Sequence, residues 1–395
     1  MGDNKLYIAA AGAGKTTFVV KHALKSHQSF PKDKKVIILT FTRKNQSEIE
    51  EKVRSENGYL PSEIKICGWY SFLLDYCIRP FIGTVIPSLY CQNIGLLLVE
   101  GVSGTTKQGS RYMKTYKAGD SLKKYFSKAT HAYSDKLSEL AFECYSRNKK
   151  DFIERISNIF HSILIDEVQD LAAWDFELLN VLIKNTDINF MLCGDPRQKT
   201  YETTSSVKNK KYSGGIDRYV SDKINQSKDE VLIDYSTLNK SHRFGTVIAD
   251  FASKITQGQF PNTEACTCND CLERQRSFSG RPGVYLVKRS IVDVFLQKYS
   301  PTVLIWDKNK NGGFEQNTIT YGNSKGMTTN VSLIIPTKSI ISNFLSSKTN
   351  QMGNNTRCKL YVAVTRARYI IGILVDDSFD NTRNLQNLPY WSDEI

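Results

Sequence analysis

The sequence predicts an α/β protein with a parallel sheet, and three features lead to this prediction. Residues 5–8 form a short apolar strand pattern that runs directly into the glycine-rich stretch AAAGAGKT. A helix pattern, TTFVVKHALK, begins at the end of that stretch. Further along, residues 162–165 form a second apolar run that ends in two carboxylates. Apolar strands with polar groups at their carboxyl ends are typical of parallel sheets that bind ligands.

The composition sets broad limits on the class of protein. With 395 residues the chain is long enough for two or three domains. Its formal net charge of +13 suits a polyanionic partner such as nucleic acid, without requiring one. Because no apolar run approaches the length of a membrane span and the N-terminus lacks a signal-peptide pattern, we expect a cytoplasmic protein.

The glycine-rich stretch contains the residues that a phosphate loop needs. Its eight-residue frame, from Ala9 to Thr16, matches GxxxxGK[ST] except that alanine replaces the first glycine. Gly12 and Gly14 leave room for backbone N–H groups to face phosphates. Lys15 and Thr16 stand where a ligand of the β/γ-phosphates and a ligand of Mg²⁺ are required, at the start of a helix whose dipole favours anions. Taken alone, the stretch could also be a flexible turn of alanine and glycine.

The segment HSILIDEVQDL supplies the other half of a nucleotide site. Asp166 and Glu167 follow the second apolar strand, where carboxylates can hold a metal and activate water. A solvated acidic turn is the alternative. It is disfavoured because Gln169 and Asp170 add two further polar groups before an apolar helix. Together the two segments predict a P-loop NTPase.

The segments AGAGKT and DEVQD resemble motifs of superfamily 1 helicases of the UvrD/Rep type. Further segments are similar to the other motifs of that family and follow in the family's order: VIILTFTRKNQSEIEEKV (36–53, motif Ia), CGWYSF (67–72, Ib), FMLCGDPRQKTY (190–201, III), LNKSHRF (238–244, IV), an altered ITYGNSKGMTTNVSLIIPT (319–337, V) and RCKLYVAVTRAR (357–368, VI). The resemblance extends from residue 6 to residue 372 and so covers nearly the whole chain.

This resemblance implies two RecA-like P-loop NTPase domains, each with a parallel sheet. The first is expected at residues 1–228, with a small helical insert at about residues 80–158. The second is expected at residues 229–395. The larger insertion that big family members carry between motifs IV and V is essentially absent here.

The resemblance also implies a site for ATP and Mg²⁺. By it, Lys15 binds the β/γ-phosphates, Thr16 and Asp166 hold Mg²⁺, and Glu167 deprotonates the attacking water. Gln198 is expected to sense the γ-phosphate, and Arg243 and Arg366 look like the arginine fingers. The residues expected to contact the nucleotide are Ala11, Gly12, Ala13, Gly14, Lys15, Thr16, Thr17, His242 and Gly326. Thr17 stands where the family often has an arginine that stacks on adenine, and His242 stands where it has a tyrosine that does so. We therefore expect relaxed selectivity for the base.

For single-stranded DNA, the family uses aromatic rings as stacking platforms and polar groups on the phosphates. Phe41 matches the stacking aromatic of motif Ia, although it could instead belong to the core. The other candidate DNA contacts are Thr42, Lys44, Trp69, Tyr201 and Lys325.

The nine cysteines are odd in number and scattered, which indicates reduced thiols. One cluster, Cys266-x-Cys268-x-x-Cys271, approaches the spacing of metal ligands. A tetrahedral zinc site needs a fourth ligand, and no histidine lies nearby in the sequence. The spacing therefore favours a loop of free thiols over zinc.

We expect from the resemblance an ATP-dependent translocase or helicase on single-stranded DNA, with 3′ to 5′ polarity. Two alternatives stay open. One is a regulatory subunit, gated by nucleotide and DNA ends, that controls a partner nuclease, as the compact UvrD-like proteins of anti-phage systems such as Gabija suggest. The other is an RNA helicase, because contacts to the backbone do not identify the sugar.

Overall fold

The computed structural model describes residues 4–29, 33–99, 101–108, 112–115, 121–128, 130–200, 206–226, 228, 230–308, 313–314, 318–347, 351–380 and 382–394. The strands are β1 Lys5–Ile8, β2 Lys35–Thr40, β3 Ile64–Gly68, β4 Gly95–Leu97, β5 Thr105–Gln108, β6 Tyr112–Thr115, β7 His131–Tyr133, β8 Phe160–Asp166, β9 Asn189–Gly194, β10 Leu232–Asp234, β11 Lys240–Ser241, β12 Glu264–Ala265, β13 Gly283–Lys288, β14 Thr302–Ile305, β15 Thr318–Thr320, β16 Thr329–Ile334 and β17 Ala367–Val375.

The α-helices alternate with these strands, as expected for an α/β protein. They are α1 Lys15–Ser29, α2 Arg43–Asn57, α3 Trp69–Phe72, α4 Ile82–Val85, α5 Ser121–Tyr125, α6 Leu137–Arg147, α7 Lys149–Ile159, α8 Trp174–Asn185, α9 Ile216–Tyr219, α10 Thr246–Thr256, α11 Asn269–Arg276, α12 Val292–Tyr299, α13 Lys338–Ile340 and α14 Asn354–Val364. Wider π-helical turns at Leu73–Ile78, Val220–Ile224 and Ile341–Leu345 continue α3, α9 and α13. No helix of the described residues is long and apolar enough to cross a membrane.

The chain divides into two compact units. The first contains Met1–Tyr7, Lys15–Gly194 and Glu202–Asp234, and the second contains Ile8–Gly14, Asp195–Tyr201 and Tyr235–Ile395. The division of the chain into a domain of residues 1–228 and a domain of residues 229–395 stays a prediction. Two short segments, Ile8–Gly14 of the glycine-rich loop and Asp195–Tyr201 at the end of motif III, belong to the second unit although they fall within the sequence range expected for the first domain.

The first unit is built on a six-stranded sheet of order β10-β1-β9-β8-β2-β3. The pairs β1–β10, β2–β3, β2–β8 and β8–β9 are parallel. The central strands β2 and β8 are apolar and buried along almost their whole length, as strands covered on both faces must be. β10 pairs with β1, so the strand that we expected to open the second domain after residue 228 completes the first sheet instead. Its backbone groups satisfy the edge of β1, which the sequence around 228 could not reveal.

The insert at residues 80–158 is only partly helical. α6 and α7 occupy its second half, as the apolar spacing predicted. The insert also contains two small two-stranded sheets, β4 with β7 and β5 with β6. The sequence analysis predicted a small helical insert and did not predict these strands, because strands of three or four residues carry too little periodic pattern to be recognised.

The second unit is built on a five-stranded sheet of order β13-β17-β16-β14-β15, in which every adjacent pair is parallel. Its core packs α10 and α14 against the sheet, through residues such as Phe251 and Leu360. Two parallel sheets with intervening helices confirm the predicted α/β class.

Gly372 in β17 shows how tightly the second sheet packs. A Cβ atom at this position would lie 2.9 Å from Phe295 Cζ, 3.0 Å from Val287 Cγ2 and 3.1 Å from Leu333 Cδ1. These neighbours come from α12 and from the strands on both sides of β17. Glycine is therefore required by space and not by backbone conformation.

We expect Gly372→Val to lower the free energy of unfolding by about 1–3 kcal/mol, because the added methyl groups overpack a filled core. Urea denaturation followed by circular dichroism measures the change. Gly353→Ala is the matched control, since nothing lies within 4 Å of its added Cβ. Equal midpoints for the two variants would contradict the packing described.

Candidate functional site

The glycine-rich loop has the backbone that a phosphate loop requires. Gly12 and Gly14 both have φ of +77°, in the left-handed region that favours glycine. Gly12 also has no room for a side chain, because a Cβ there would lie 2.7 Å from both Arg243 Cβ and Ser241 Oγ. Ala11 and Ala13, which alternate with these glycines, are buried.

The predicted metal and water-activating residues lie together in the first unit. Asp166 is the last residue of β8, and Thr16 Oγ1 donates to Asp166 Oδ2 at 3.2 Å. Lys15 Nζ lies 3.9 Å from Glu167 Oε1. A hydroxyl, two carboxylates and an ammonium group within one constellation can hold Mg²⁺ and polarise a bound water. The structure thus brings Lys15 and Thr16 together with Asp166 and Glu167. Thr16 and Asp166 are 150 residues apart in the chain.

Glu167 is held in an uncommon backbone conformation. Its φ is +60°, although it is not glycine. Its backbone N–H donates to Asp166 Oδ1 at 2.9 Å, and Gln169 Nε2 donates to its carboxylate. Strained backbone of this kind is concentrated at functional sites, where surrounding contacts hold a side chain in one orientation. The Gln169 contact explains why a glutamine follows the carboxylates.

The Asp166 carboxyl is electrostatically disfavoured in its charged form. Burial raises its pKa above the ordinary value, and the neighbouring Glu167 carboxylate raises it further. Lys15 and the hydrogen bonds from the Glu167 N–H and the Thr16 hydroxyl lower this pKa but do not cancel the rise. A carboxylate pair of this kind, with Asp166 buried and Glu167 half-buried, favours a divalent cation, whose charge balances both carboxylates.

The second unit gathers the predicted γ-phosphate residues. Gln198 is buried, and its Oε1 accepts from Arg366 Nη2 at 3.3 Å. Arg243 Nη1 donates to the carbonyl of Thr365 at 2.8 Å, and Arg366 Nη2 donates to the Thr365 hydroxyl at 2.9 Å. The residues of motifs III, IV and VI therefore contact one another directly or through Thr365. Their charges could respond together to a bound anion.

Arg366 also contacts motif V. It is 1% exposed, and its Nη1 donates to the carbonyls of Ser324 and Met327, both at 3.3 Å. These carbonyls lie on either side of Lys325 and Gly326. Lys325 is half-buried, and Gly326 is exposed with φ of +82°.

Two residues that the sequence reasoning missed brace the glycine-rich loop within the second unit. Arg197 Nη2 donates to the carbonyl of Ala9 at 2.8 Å, while its Nε pairs with Asp195 at 2.6 Å. The Tyr361 hydroxyl accepts from the backbone N–H of Ala11 at 3.4 Å. Arg197 lies next to Gln198 in motif III, and Tyr361 lies in LYVAVTRAR of motif VI. Their positions inside these motifs, without an assigned role, were the signals that the sequence offered.

The two residues expected to flank a base behave differently. Thr17 lies in the first turn of α1 and is half-buried. The ring of His242 contacts cysteine, with Nδ1 3.6 Å from Cys271 Sγ. This differs from the expected role in stacking on adenine. The backbone N–H of His242 donates to the carbonyl of Gly12 at 2.9 Å, so the residue does contact the loop.

The predicted DNA contacts are only partly available at the surface. Phe41 is half-buried beside the end of β2, and Lys44 is exposed in the first turn of α2. Thr42 caps α2, with its hydroxyl accepting from Asn45 N–H at 3.1 Å. Tyr201 lies outside the described residues.

Trp69 corrects one expectation. Its ring is 2% exposed, and its Nε1 donates to Asp175 Oδ1 at 2.7 Å. A buried ring has no free face on which a base could stack, so Trp69 is placed as part of the wall of a recess and not as a stacking platform. The recess is lined by Phe41, Trp69, Tyr70, Ser134, Asp135, Ser138, Glu139, Ala172, Ala173, Trp174 and Asp175.

The chain is similar to several known proteins. A family model described as an AAA domain matches residues 2–204. The Gabija protein GajB of Bacillus cereus (strain VD045) is 26% identical over 212 residues, which are 51% of this chain and 38% of GajB. The helicase nonstructural protein 10 of an arterivirus, solved with DNA, matches with a TM-score of 0.40 and 13% identity, over 96% of this chain and 62% of that chain. The Pif1 helicase from Candida albicans matches with a TM-score of 0.39 and 12% identity, over 97% of this chain and 92% of that chain.

The raised pKa of Asp166 leads to a prediction for stability. The charged carboxylate is disfavoured in the folded state, so stability is lost as pH rises from the ordinary pKa of 3.8 through the folded pKa. Asp166→Asn removes that charge and should stabilise the nucleotide-free protein at pH 8 by about 1–2 kcal/mol, with the gain vanishing near pH 4. Thermal denaturation across this pH range, without nucleotide or Mg²⁺, measures it.

Asp377 provides the control of opposite sign. Hydrogen bonds from the Ser290 N–H and hydroxyl lower the pKa of Asp377, so its charged form is favoured in the folded state. Asp377→Asn should therefore not stabilise the protein at pH 8. If both variants shifted stability in the same direction, the electrostatic account of Asp166 would be wrong.

Proposed function

This chain belongs to the AAA-domain family, and we propose that it hydrolyses ATP to move along single-stranded DNA with 3′ to 5′ polarity. Its motifs, in their order along the chain, resemble those of the superfamily 1 helicases. The match to GajB covers 38% of that protein, so the activity and substrates of this chain are proposed from its own residues. The observation that carries the proposal is the set of contacts made by Arg366, which join the nucleotide motifs to motif V.

The nucleotide chemistry follows from the residues of the site. Lys15 supplies positive charge to the β/γ-phosphates, and Thr16 and Asp166 hold Mg²⁺. The cation also relieves the unfavourable charge on Asp166. Glu167, oriented by its own backbone and by Gln169, accepts the proton of the attacking water. Gln198 and the two arginines respond to the charge of the γ-phosphate.

The coupling of ATP hydrolysis to movement along the nucleic acid follows from the position of Arg366. The nitrogens that contact Gln198 and the Ser324 and Met327 carbonyls belong to one rigid planar guanidinium. A movement that changes the contact with Gln198 must therefore also change the contacts with these carbonyls. The turn between these carbonyls contains Lys325, a candidate phosphate ligand. We infer that loss of the γ-phosphate reaches the nucleic acid along this path.

Single-stranded DNA is proposed as the substrate on three grounds. The net charge of +13 favours a polyanion. Phe41 is half-buried and lines an aromatic recess, which suits stacking on a base. Lys44 and Thr42 follow it at the start of α2, where the helix dipole favours phosphate.

A second candidate function is favoured by the similarity to the Gabija protein GajB. In that case nucleotide and DNA ends would control a partner nuclease in anti-phage defence, and the chain would not move along DNA. Biotinylated single strands with streptavidin at one end distinguish the two functions. Displacement from the 5′ end alone supports 3′ to 5′ movement, displacement from the 3′ end reverses the polarity, and no displacement despite DNA-stimulated hydrolysis supports the regulatory role.

We predict that hydrolysis of ATP depends on Glu167 and on single-stranded DNA. Glu167→Gln should lower kcat by about 10²–10⁴, the usual contribution of a general base, while ATP still binds. Phosphate release is measured without nucleic acid and with single-stranded DNA, duplex DNA or RNA, and ATP binding is measured by a fluorescent analogue. Glu177→Gln, a carboxylate of α8, is the control. Equal rates on all four samples would contradict translocation. If RNA stimulated hydrolysis most strongly, RNA and not DNA would be the substrate.

We predict that Phe41 stacks on a base. Phe41→Ala should raise the half-saturating concentration of single-stranded DNA by roughly 5- to 150-fold, which corresponds to the loss of about 1–3 kcal/mol of stacking. The rate of hydrolysis without DNA should stay unchanged. Tyr59→Ala is the control because this exposed ring of the same unit lies outside the recess. If both variants bind DNA equally well, Phe41 belongs only to the core.

A further inference from the structure

We propose that His242, Cys266, Cys268 and Cys271 bind one Zn²⁺ ion in a Cys₃His site. Their ligand atoms, one imidazole nitrogen and three sulfurs, all lie within 4.8 Å of one another. The four residues belong to the second unit. The site is separate from the proposed Mg²⁺ ligands and does not depend on the proposed function.

The distances fit tetrahedral zinc. With bonds of about 2.3 Å to sulfur and 2.0–2.1 Å to nitrogen, the sulfur and nitrogen ligands of one ion stand about 3.6 Å apart, and two sulfur ligands about 3.8 Å apart. Cys271 Sγ and His242 Nδ1 are 3.6 Å apart. The other separations are at most 4.8 Å, so they exceed these values by at most about 1.0 Å for two sulfurs and about 1.2 Å for sulfur and nitrogen. Three thiolates and one imidazole are a common ligand set of structural zinc, since they fill four positions and leave none open.

Strand pairing explains why the fourth ligand was missed from the sequence. β11 and β12 pair in parallel, with Ser241 opposite Ala265. Each strand continues directly into a ligand, so His242 and Cys266 are brought side by side, and Cys266 N–H donates to the Ser241 carbonyl at 2.8 Å. The expectation of free thiols rested on the lack of a histidine near the cysteines in sequence. The parallel pairing of β11 and β12 brings in His242, which lies 24 residues before Cys266 in the sequence (266 − 242).

The other two ligands are set by α11. Cys268 is the N-cap residue of this helix, and Cys271 lies in its first turn. The backbone N–H of Cys268 donates to Cys266 Sγ at 3.5 Å. Arg274, one turn further along, donates from Nη2 to Cys271 Sγ at 3.2 Å and to the His242 carbonyl at 2.5 Å. Three thiolates around Zn²⁺ leave one negative charge, which the Arg274 guanidinium balances.

The ion would stabilise the segment next to the phosphate loop. His242 joins the metal through its ring and donates from its backbone N–H to the Gly12 carbonyl at 2.9 Å. The next residue, Arg243, packs against Gly12 and donates to the Thr365 carbonyl. A metal that fixes His242 therefore fixes the start of motif IV against the loop. We assign the ion a structural role, because binding free energy of a closed zinc site is folding free energy.

The metal content of the protein tests this assignment. The full chain, purified without chelators, should contain about one zinc ion by inductively coupled plasma mass spectrometry. Cys268→Ser and the double variant His242→Ala/Cys268→Ser should lose it, and the thermal midpoint of the unsubstituted chain should fall on treatment with a strong chelator. Cys91→Ser is the matched control, since Cys91 is an exposed free cysteine outside the cluster. Cobalt added to the metal-free chain should give the visible absorption of tetrahedral thiolate coordination.

Several outcomes would overturn the site. They are a reduced chain that neither contains zinc nor takes it up when the ion is added, zinc retained in full by the double variant, or an iron–sulfur chromophore in place of zinc. If the ligand variants fail to fold, the metal content and cobalt spectrum of the unsubstituted chain still decide the question, because neither measurement depends on a variant or on hydrolysis of ATP.

Discussion

The buried guanidinium of Arg366 is the constraint on which the second unit's part of the site depends. A charged group withdrawn from water must have its donors paired, and a rigid planar fork allows few arrangements of acceptors. Arg366 meets this requirement with oxygens from Gln198, from the Ser324 and Met327 carbonyls, and from the Val362 carbonyl of the preceding helix α14. Three motifs that lie far apart in the chain are thereby held at fixed distances from one charge. A buried arginine with these partners acts first as a structural link and, by the proposed mechanism, transmits the state of the nucleotide.

A second buried arginine does comparable work at the phosphate loop. Arg197 forms an ion pair with Asp195 in which both side chains are shielded from water, and it binds the carbonyl of Ala9. Asp195 also accepts from Gln198 Nε2 at 2.8 Å, so the brace of the loop and the γ-phosphate residue share one carboxylate. Removing one member of such a network leaves an uncompensated buried charge, which is why these residues are coupled to one another.

The chemistry of the site could be read from the sequence wherever it depends on residues close together in the chain. The glycine-rich loop, the carboxylates after β8 and the order of the motifs required no knowledge of distant contacts, and Lys15, Thr16, Asp166 and Glu167 do lie together. The errors concern burial and pairing. Trp69 sits in a motif that suggests DNA contact, yet a hydrogen bond to Asp175 of α8 holds it inside the first unit. β10 and the small strands of the insert were missed because each is short and finds its partner far away in the sequence.

The sequence by itself determined the α/β class, the phosphate loop and the acidic strand end, because each is a local pattern that the backbone converts into one geometry. Only the tertiary structure decided which surface each side chain faces and which distant groups it meets. It placed His242 among three cysteines, surrounded Arg366 with carbonyls and completed the first sheet with β10. The physical reason is that strand pairing and burial depend on hydrogen bonds and packing between residues far apart in the chain. The local sequence around a residue does not specify which distant residue it will contact.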